Sequence, residues 1–276
     1  LNNITNISMD DEYAGICGIT KEELLENMSE DIEMLAKAQD LSVDQTSAKL
    51  KEYYDGYHFS KASPDVFNPY SLLNCFAKRE LGTYWFASGT PTYLINTMKK
   101  LDTLPTDIGR IEADESEFDA PTENMNTIMP LLYQSGYITI KDYNKDYNYY
   151  TLDIPNKEVK VGLTKALIPA YVTHNTLATT TTARRFAQAL DQQNMDGALH
   201  LLQDFLGTIP YCNVTNYEGH YQQMLFIIFS LLTDYLVDVE VHTPNGRVDI
   251  VLLTKTHLYI CLLYTSPSPR DGLLSR

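Results

Sequence analysis

The chain predicts an α+β protein in three parts: helical at the N-terminus, helix–hairpin–helix in the middle, and a buried helix followed by a β-meander at the C-terminus. Three observations carry that expectation. Capping signals introduce apolar residues at helical spacing through the first hundred residues, two strand-like runs flank a tight turn at 144–146, and alternating β-branched residues dominate 236–260. With 276 residues and 44% of them hydrophobic, the chain has material for more than one core.

Thr20-Lys21-Glu22-Glu23 is a capping box, and Leu24, Met28, Ile32 and Leu35 then share one helical face, predicting a helix over about 21–38. Ser42 with Gln45 repeats the device ahead of a helix reaching KEYYDGYHF, where Gly56 is placed to close it with a left-handed residue. Asn68-Pro69 and Thr90-Pro91 each set a capping residue before a proline, so helices should start near 70 and 91, and this first part should be all-helical. From Leu101 to about Ala120 the sequence turns acidic and turn-rich, which predicts a connecting segment with at most a short extended piece. A helix ending at Gly136, a strand YITIKDY, a turn at Asn144-Lys145-Asp146, a strand YYTLDIP and a helix opening after Pro155-Asn156 follow, in a winged-helix-like order. The hairpin carries Lys141 and Lys145 but also Asp142, Asp146 and Asp153, so it reads as structural rather than as a nucleic-acid wing.

Beyond Thr180, two helices parted near Asn194 are expected, the second presenting Leu199, Leu202, Phe205 and Leu206. YEGHYQQMLFIIFSLLTDYLV reads as a long helix, apolar on nearly every face in its second half. Val237, Val239 and Val241 then alternate with Asp238, Glu240 and His242, Pro244-Asn245-Gly246 turns, and Val248, Ile250 and Leu252 alternate with Arg247, Asp249 and Val251.

Several function classes recede on composition. A net charge of −15 argues against wholesale adhesion to nucleic acid or anionic lipid, leaving room only for a local positive site. Cys17, Cys75, Cys212 and Cys261 form no CxxC pair and have no His at ligand spacing, which predicts neither zinc nor a disulfide framework and suits a reducing cytoplasm. No apolar run approaches the ~18 residues of a membrane span, and no leader is visible, so a cytoplasmic location without membrane contact is expected.

The residues with chemical promise are few. Asp249 stands in a strand beside a helix that opens with Glu218, and a metal-dependent phosphodiesterase needs such carboxylates converging on Mg²⁺, a hard cation that takes oxygen ligands. The next strand would supply a Glu and, two residues on, a Lys. Arg247 could contact a phosphate or pair with Glu240 across the hairpin, and Glu240 itself reads more readily as a solvated strand residue. His58 and His220 lack a partnering nucleophile. The runs Tyr53, Tyr54, Tyr57 and Tyr147, Tyr149, Tyr150 could stack on bases, with packing the simpler account.

GRVDIVLLTKTHLYI resembles the start of the catalytic meander of the PD-(D/E)XK nuclease superfamily, and YEGHYQQMLFIIFSLL resembles its preceding core helix, with Glu218 at the extra acidic position. Upstream, KEYYDGYHF, VFNPYSLLN, YWFASGTPTYLI, LLYQSGYITIKDY and IPNKEV resemble, in that order, signature blocks of a bacterial family that couples an AAA-ATPase-like domain to such a nuclease domain. The resemblance implies residues 1–98 as the helical C-terminal portion of the ATPase-like domain and 99–185 as a winged-helix-like linker domain. It implies 186–260 as the N-terminal half of a restriction-endonuclease-like nuclease core. It further implies a parent protein that hydrolyses nucleic-acid phosphodiesters with Mg²⁺, with Asp249 and Glu218 as catalytic metal ligands.

Two departures qualify this. No GxxxxGK[ST] loop occurs, so ATP is not expected to bind this fragment. After Leu258-Tyr259-Ile260 come Cys261, Leu262, Leu263 and Tyr264, with neither the acid nor the Lys. The segment CLLYTSPSPRDGLLSR, residues 261–276, can be written from TGT CTC TTA TAC ACA TCT onward in one frame, which looks like a sequencing-library transposase adaptor. The expectation is therefore a truncated, inactive chain. The competing expectation is a non-enzymatic interaction or nucleic-acid-binding module on a degenerate nuclease scaffold.

Overall fold

The computed structural model describes residues 7–88, 91–122, 125–171, 176–207, 225–227, 229–230, 236–243, 246–254 and 257–261. The chain divides into two compact units, Leu1–Ala166 and Leu167–Arg276.

In the first unit both capping boxes form. Thr20 Oγ1 accepts from Glu23 N at 3.2 Å and Glu23 Oε2 accepts from Thr20 N at 2.9 Å, opening α1 (Lys21–Asn27). Ser42 and Gln45 do the same for α3 (Val43–Tyr54). The single helix expected over 21–38 is two helices, because Met28 leaves helical geometry (φ −130°, ψ 22°) and α2 (Ser29–Ala38) restarts behind it. Met28 N still bonds Leu24 O and Ile32 N bonds Met28 O, so the bend costs little hydrogen bonding while Leu24, Ile32 and Leu35 all stay buried. Gly56 adopts φ +97°, the left-handed geometry anticipated for it. The part is not wholly helical: β1 (Ile19–Thr20) and β2 (Val66–Phe67) pair antiparallel, strands too short to show a period.

Helix α4 (Pro69–Lys78) has Asn68 as its cap, with Pro69 in the first turn. Helix α5 (Thr92–Lys100) starts where expected, but its cap is Pro91 itself, without a side-chain bond; Thr90 lies outside the described residues. The short extended piece in the acidic segment is β3 (Ile111–Ala113), followed by α6 (Glu115–Phe118) and α7 (Met129–Gln134). The hairpin of β4 (Thr139–Asn144) and β5 (Tyr149–Asp153) recruits β3 on the β5 side, giving sheet order β3-β5-β4. Helix α8 (Lys157–Tyr171) opens after Asn156, whose Oδ1 accepts from Val159 N at 3.1 Å.

In the second unit α9 (Thr176–Asp191) and α10 (Met195–Gly207) part at Asn194, whose Oδ1 accepts from Gly197 N at 2.9 Å. Of the four α10 residues expected to share a face, Phe205 is buried and Leu202 and Leu206 pack partly buried against the core, whereas Leu199 is 55% exposed and Ala198 is buried in its stead. Residues 225–227 and 229–230 are helical, and Leu225, Ile227 and Phe229 are buried against Phe186 and Ile250 in one core. The antiparallel meander of β6 (Leu236–Thr243), β7 (Gly246–Leu253) and β8 (Leu258–Cys261) completes the unit. Helices and small sheets thus coexist throughout, as an α+β chain requires. Among the described residues no helix is long and apolar enough to cross a membrane.

Candidate functional site

Asp249 sits mid-strand in β7, between Val248, which pairs with Val241 of β6, and Ile250, which pairs with Val239 of β6 and Cys261 of β8. Strand alternation explains why the sequence folds this way: Ile250 is fully buried and Leu252 is buried, both against α9 and α10, whereas Val251 is half-buried and Leu253 exposed. Position 249 is in phase with 251 and 253. The β7–β8 ladder runs from Leu253↔Leu258 to Ile250↔Cys261, so the end of β8 lies one residue short of Asp249's level. Glu218, the second expected ligand, and His220 lie outside the described residues. The register sets Arg247 opposite His242, and the side chains of Arg247 and Glu240 lie outside the described residues.

A divalent hard cation needs several oxygen donors at once. The four residues of β8 are Leu258, Tyr259, Ile260 and Cys261, which bring no carboxylate, and among the described residues no group of three His, Cys, Asp or Glu could hold a metal ion. The residues described do not by themselves fit Mg²⁺.

The other sequence candidates resolve into structural roles. His58 Nδ1 lies 3.3 Å from Asp65 Oδ1, and that contact foremost holds the Asp65 carboxyl below its usual range. Tyr54, Tyr57 and Tyr150 are buried, Tyr53 and Tyr149 half-buried, and Tyr147 alone is 79% exposed, so the two tyrosine runs are mainly packing. Lys141 Nζ donates to Gly56 O at 2.8 Å and Pro155 O at 3.0 Å, engaging one of the hairpin's two lysines.

Two features escaped sequence reasoning. Glu158, in IPNKEV, is fully buried and its Oε1 accepts from Tyr84 N and Trp85 N at 2.5 and 2.9 Å. In the first unit a cavity of about 320 Å³ is lined by four of the quoted blocks at once: Tyr57 and Phe59, Val66 to Pro69, Trp85, and Tyr133 to Gly136 with Ile138 and Thr139. The signal available in sequence was the blocks themselves, whose wide separation hid their convergence.

With that geometry in place, the C-terminal stretch can be assigned by class: residues 216–263 match the PD-(D/E)XK nuclease superfamily, a stretch that spans β6, β7 and β8 and holds both Asp249 and Glu218. The match indicates a nuclease-like fold there. Along most of its length the chain is similar to a protein of Azotobacter chroococcum mcd 1 described as an "Uncharacterized protein in vnfD 5'region", with 28% identity over 267 residues, 94% of this chain and 49% of that protein. The chain thus spans about half the length of the curated relative it matches. No solved structure matches it.

Proposed function

We propose that the second unit is the N-terminal half of a PD-(D/E)XK nuclease domain, and that the intact protein hydrolyses nucleic-acid phosphodiesters with a divalent ion, Mg²⁺ by preference. The observation that carries this is Asp249 held mid-strand in a three-stranded meander inside the matched stretch, level with the point a continuing β8 reaches next. In place of the adaptor residues, an acid at position 262 and a Lys at 264 on a continuing β8 would stand opposite Asp249 and two positions on, on the same face. Glu218 is the candidate for a further carboxylate. Residues 1–98 are assigned to an ATPase-like helical portion and 99–185 to a winged-helix-like linker on the quoted blocks, and 261–276 to translated adaptor.

This chain itself is expected to be inactive, because one strand carboxylate leaves a hard cation under-coordinated and no Lys follows Ile260 to stabilise transition-state charge. The β8 composition also favours a second reading, a non-catalytic nucleic-acid or protein-interaction module on a degenerate scaffold. Reading the intact gene past the codon for Ile260 separates the two: Glu-x-Lys is expected, and its absence removes the nuclease reading. In the full-length protein Asp249→Ala should lower Mg²⁺-dependent cleavage of a labelled duplex and single strand by about 10²-fold or more. Undiminished cleavage by that variant would remove Asp249 from the site.

A further inference from the structure

We infer that the 320 Å³ cavity of the first unit is a binding site for a small, neutral heteroaromatic molecule of nucleobase or nucleoside type. Its volume lies at the low end of ligand pockets, about 300–1,000 Å³, which suits one ring system rather than a large cofactor. The walls are Tyr57, Phe59, Phe67, Trp85 and Tyr133, and none of the lining residues carries a charge.

The walls are fixed in advance of any ligand. Tyr57 and Val66 exchange backbone hydrogen bonds at 3.3 and 2.9 Å, Tyr57 Oη donates to Gly136 O at 3.3 Å, and Thr139 Oγ1 both accepts from His58 N and donates to His58 O. Gly136 holds φ +74°, with any Cβ there 3.5 Å from the Tyr57 ring and 3.8 Å from that of Trp85, so the rings stand against a bare backbone. Such preorganisation lowers the cost of binding.

Polar capacity remains on one side. Gln134 Nε2 donates one N–H to Ala120 O, which leaves its Oε1 as an acceptor and its second N–H as a donor, and Ser135 Oγ makes no hydrogen bond among the described residues. Gln134 and Ser135 are consecutive lining residues, and an amide oxygen with a neighbouring hydroxyl has the chemistry to meet a ring edge that presents an N–H donor next to a nitrogen acceptor.

The same edge could belong to a free base or to an unstacked base of a strand. A strand needs cations tracking its phosphates, and the neutral lining on a chain of net charge −15 offers none, so the free molecule is the occupant. This inference is independent of the cleavage reading, and its test involves no cleavage.

Trp85 is the chain's single tryptophan and lines the cavity, so its emission reports occupancy directly. Cys17, an exposed free thiol on the rim, gives a second readout through its rate of alkylation by iodoacetamide, followed by peptide mass spectrometry. Titrating the full chain with adenosine should give a saturable change in Trp85 emission and slow alkylation of Cys17. Ser135→Ala should weaken adenosine by about tenfold, the loss of one hydrogen bond. Cys17→Phe, at a position whose exposure makes folding tolerant, should fill the cavity and abolish the emission change. AMP and a short single-stranded oligodeoxyadenylate should bind no more tightly than adenosine. The inference is overturned by the lack of a saturable change at millimolar adenosine, by a change that survives Cys17→Phe, or by tighter binding of AMP or the oligonucleotide.

Discussion

Glu158 shows how much one side chain can hold in place. Its Oε1 takes the amides of Tyr84 and Trp85, while its Oε2 is buried with no well-formed hydrogen bond and has only the nearby Ser71 hydroxyl to act on it. Burial pushes its carboxyl above the ordinary 4.5, against the lowering effect of the Ser71 hydroxyl and the two amides. The folded state therefore keeps a proton that the unfolded chain has lost, so stability should fall as pH rises from about 4.5 to the raised value and level off above it. Glu158→Gln retains the acceptor for both amides and cannot ionise; urea unfolding from pH 4 to 8 should show that downward slope reduced and stability at neutral pH equal or higher. Glu158→Ala orphans two buried N–H groups and should cost about 2–3 kcal/mol. Gly56 is the second pressure point, since its φ is +97° and a Cβ there would lie 2.5 Å from Pro155 O. Gly56→Ala should cost about 2 kcal/mol or more by the same denaturation measurement. A wild-type stability in either Ala variant would show that these contacts do not bear on folding.

Elements that announce themselves locally were the ones legible in sequence. Both N-terminal capping boxes form and Asn194 opens α10, because a cap is complete within four residues and needs no distant partner. Thr20→Ala, Ser42→Ala and Asn194→Ala should each lower unfolding free energy by about 1 kcal/mol, and the Thr20 and Ser42 losses should add, being separate helix ends. The bend at Met28 was not legible, since the apolar spacing of Leu24, Ile32 and Leu35 runs unbroken across it. Nor was β3's place beside β5, which joins residues some forty positions apart, such as Ile111 and Leu152. The burial of Ala198 in place of Leu199 turned on one small residue that hydrophobicity alone undervalues. For the site the division is the same: alternation of Val248, Ile250 and Leu252 sufficed to put Asp249 in a strand, whereas the cavity, assembled from widely separated segments, could only be seen folded.

At the scale of the whole molecule the β7–β8 sheet has a face that solvent does not suit. Antiparallel sheets with one wet face ordinarily alternate apolar with polar residues, yet the positions opposite the buried Ile250 and Leu252 are Val251 and Leu253, paired with Ile260 and Leu258. Leu253, Leu258 and Ile260 are 43%, 59% and 60% exposed, and among the described residues β8 pairs with β7 alone. A strand apolar on both faces is patterned for cover on both faces. Until covered, the face should draw copies of this chain together, each large aliphatic contributing about 1 kcal/mol. The net charge of −15 opposes that association, so light scattering should rise with protein concentration and also with salt, as screening removes the repulsion. Leu258→Lys with Ile260→Lys should abolish the rise while leaving the melting temperature within a few degrees, since both residues are surface-exposed. A chain that stays monomeric in high salt would show that the face needs no cover. Position 249 shares the phase of this face, so an element that covered Leu253 and Ile260 would also lie over the level of Asp249.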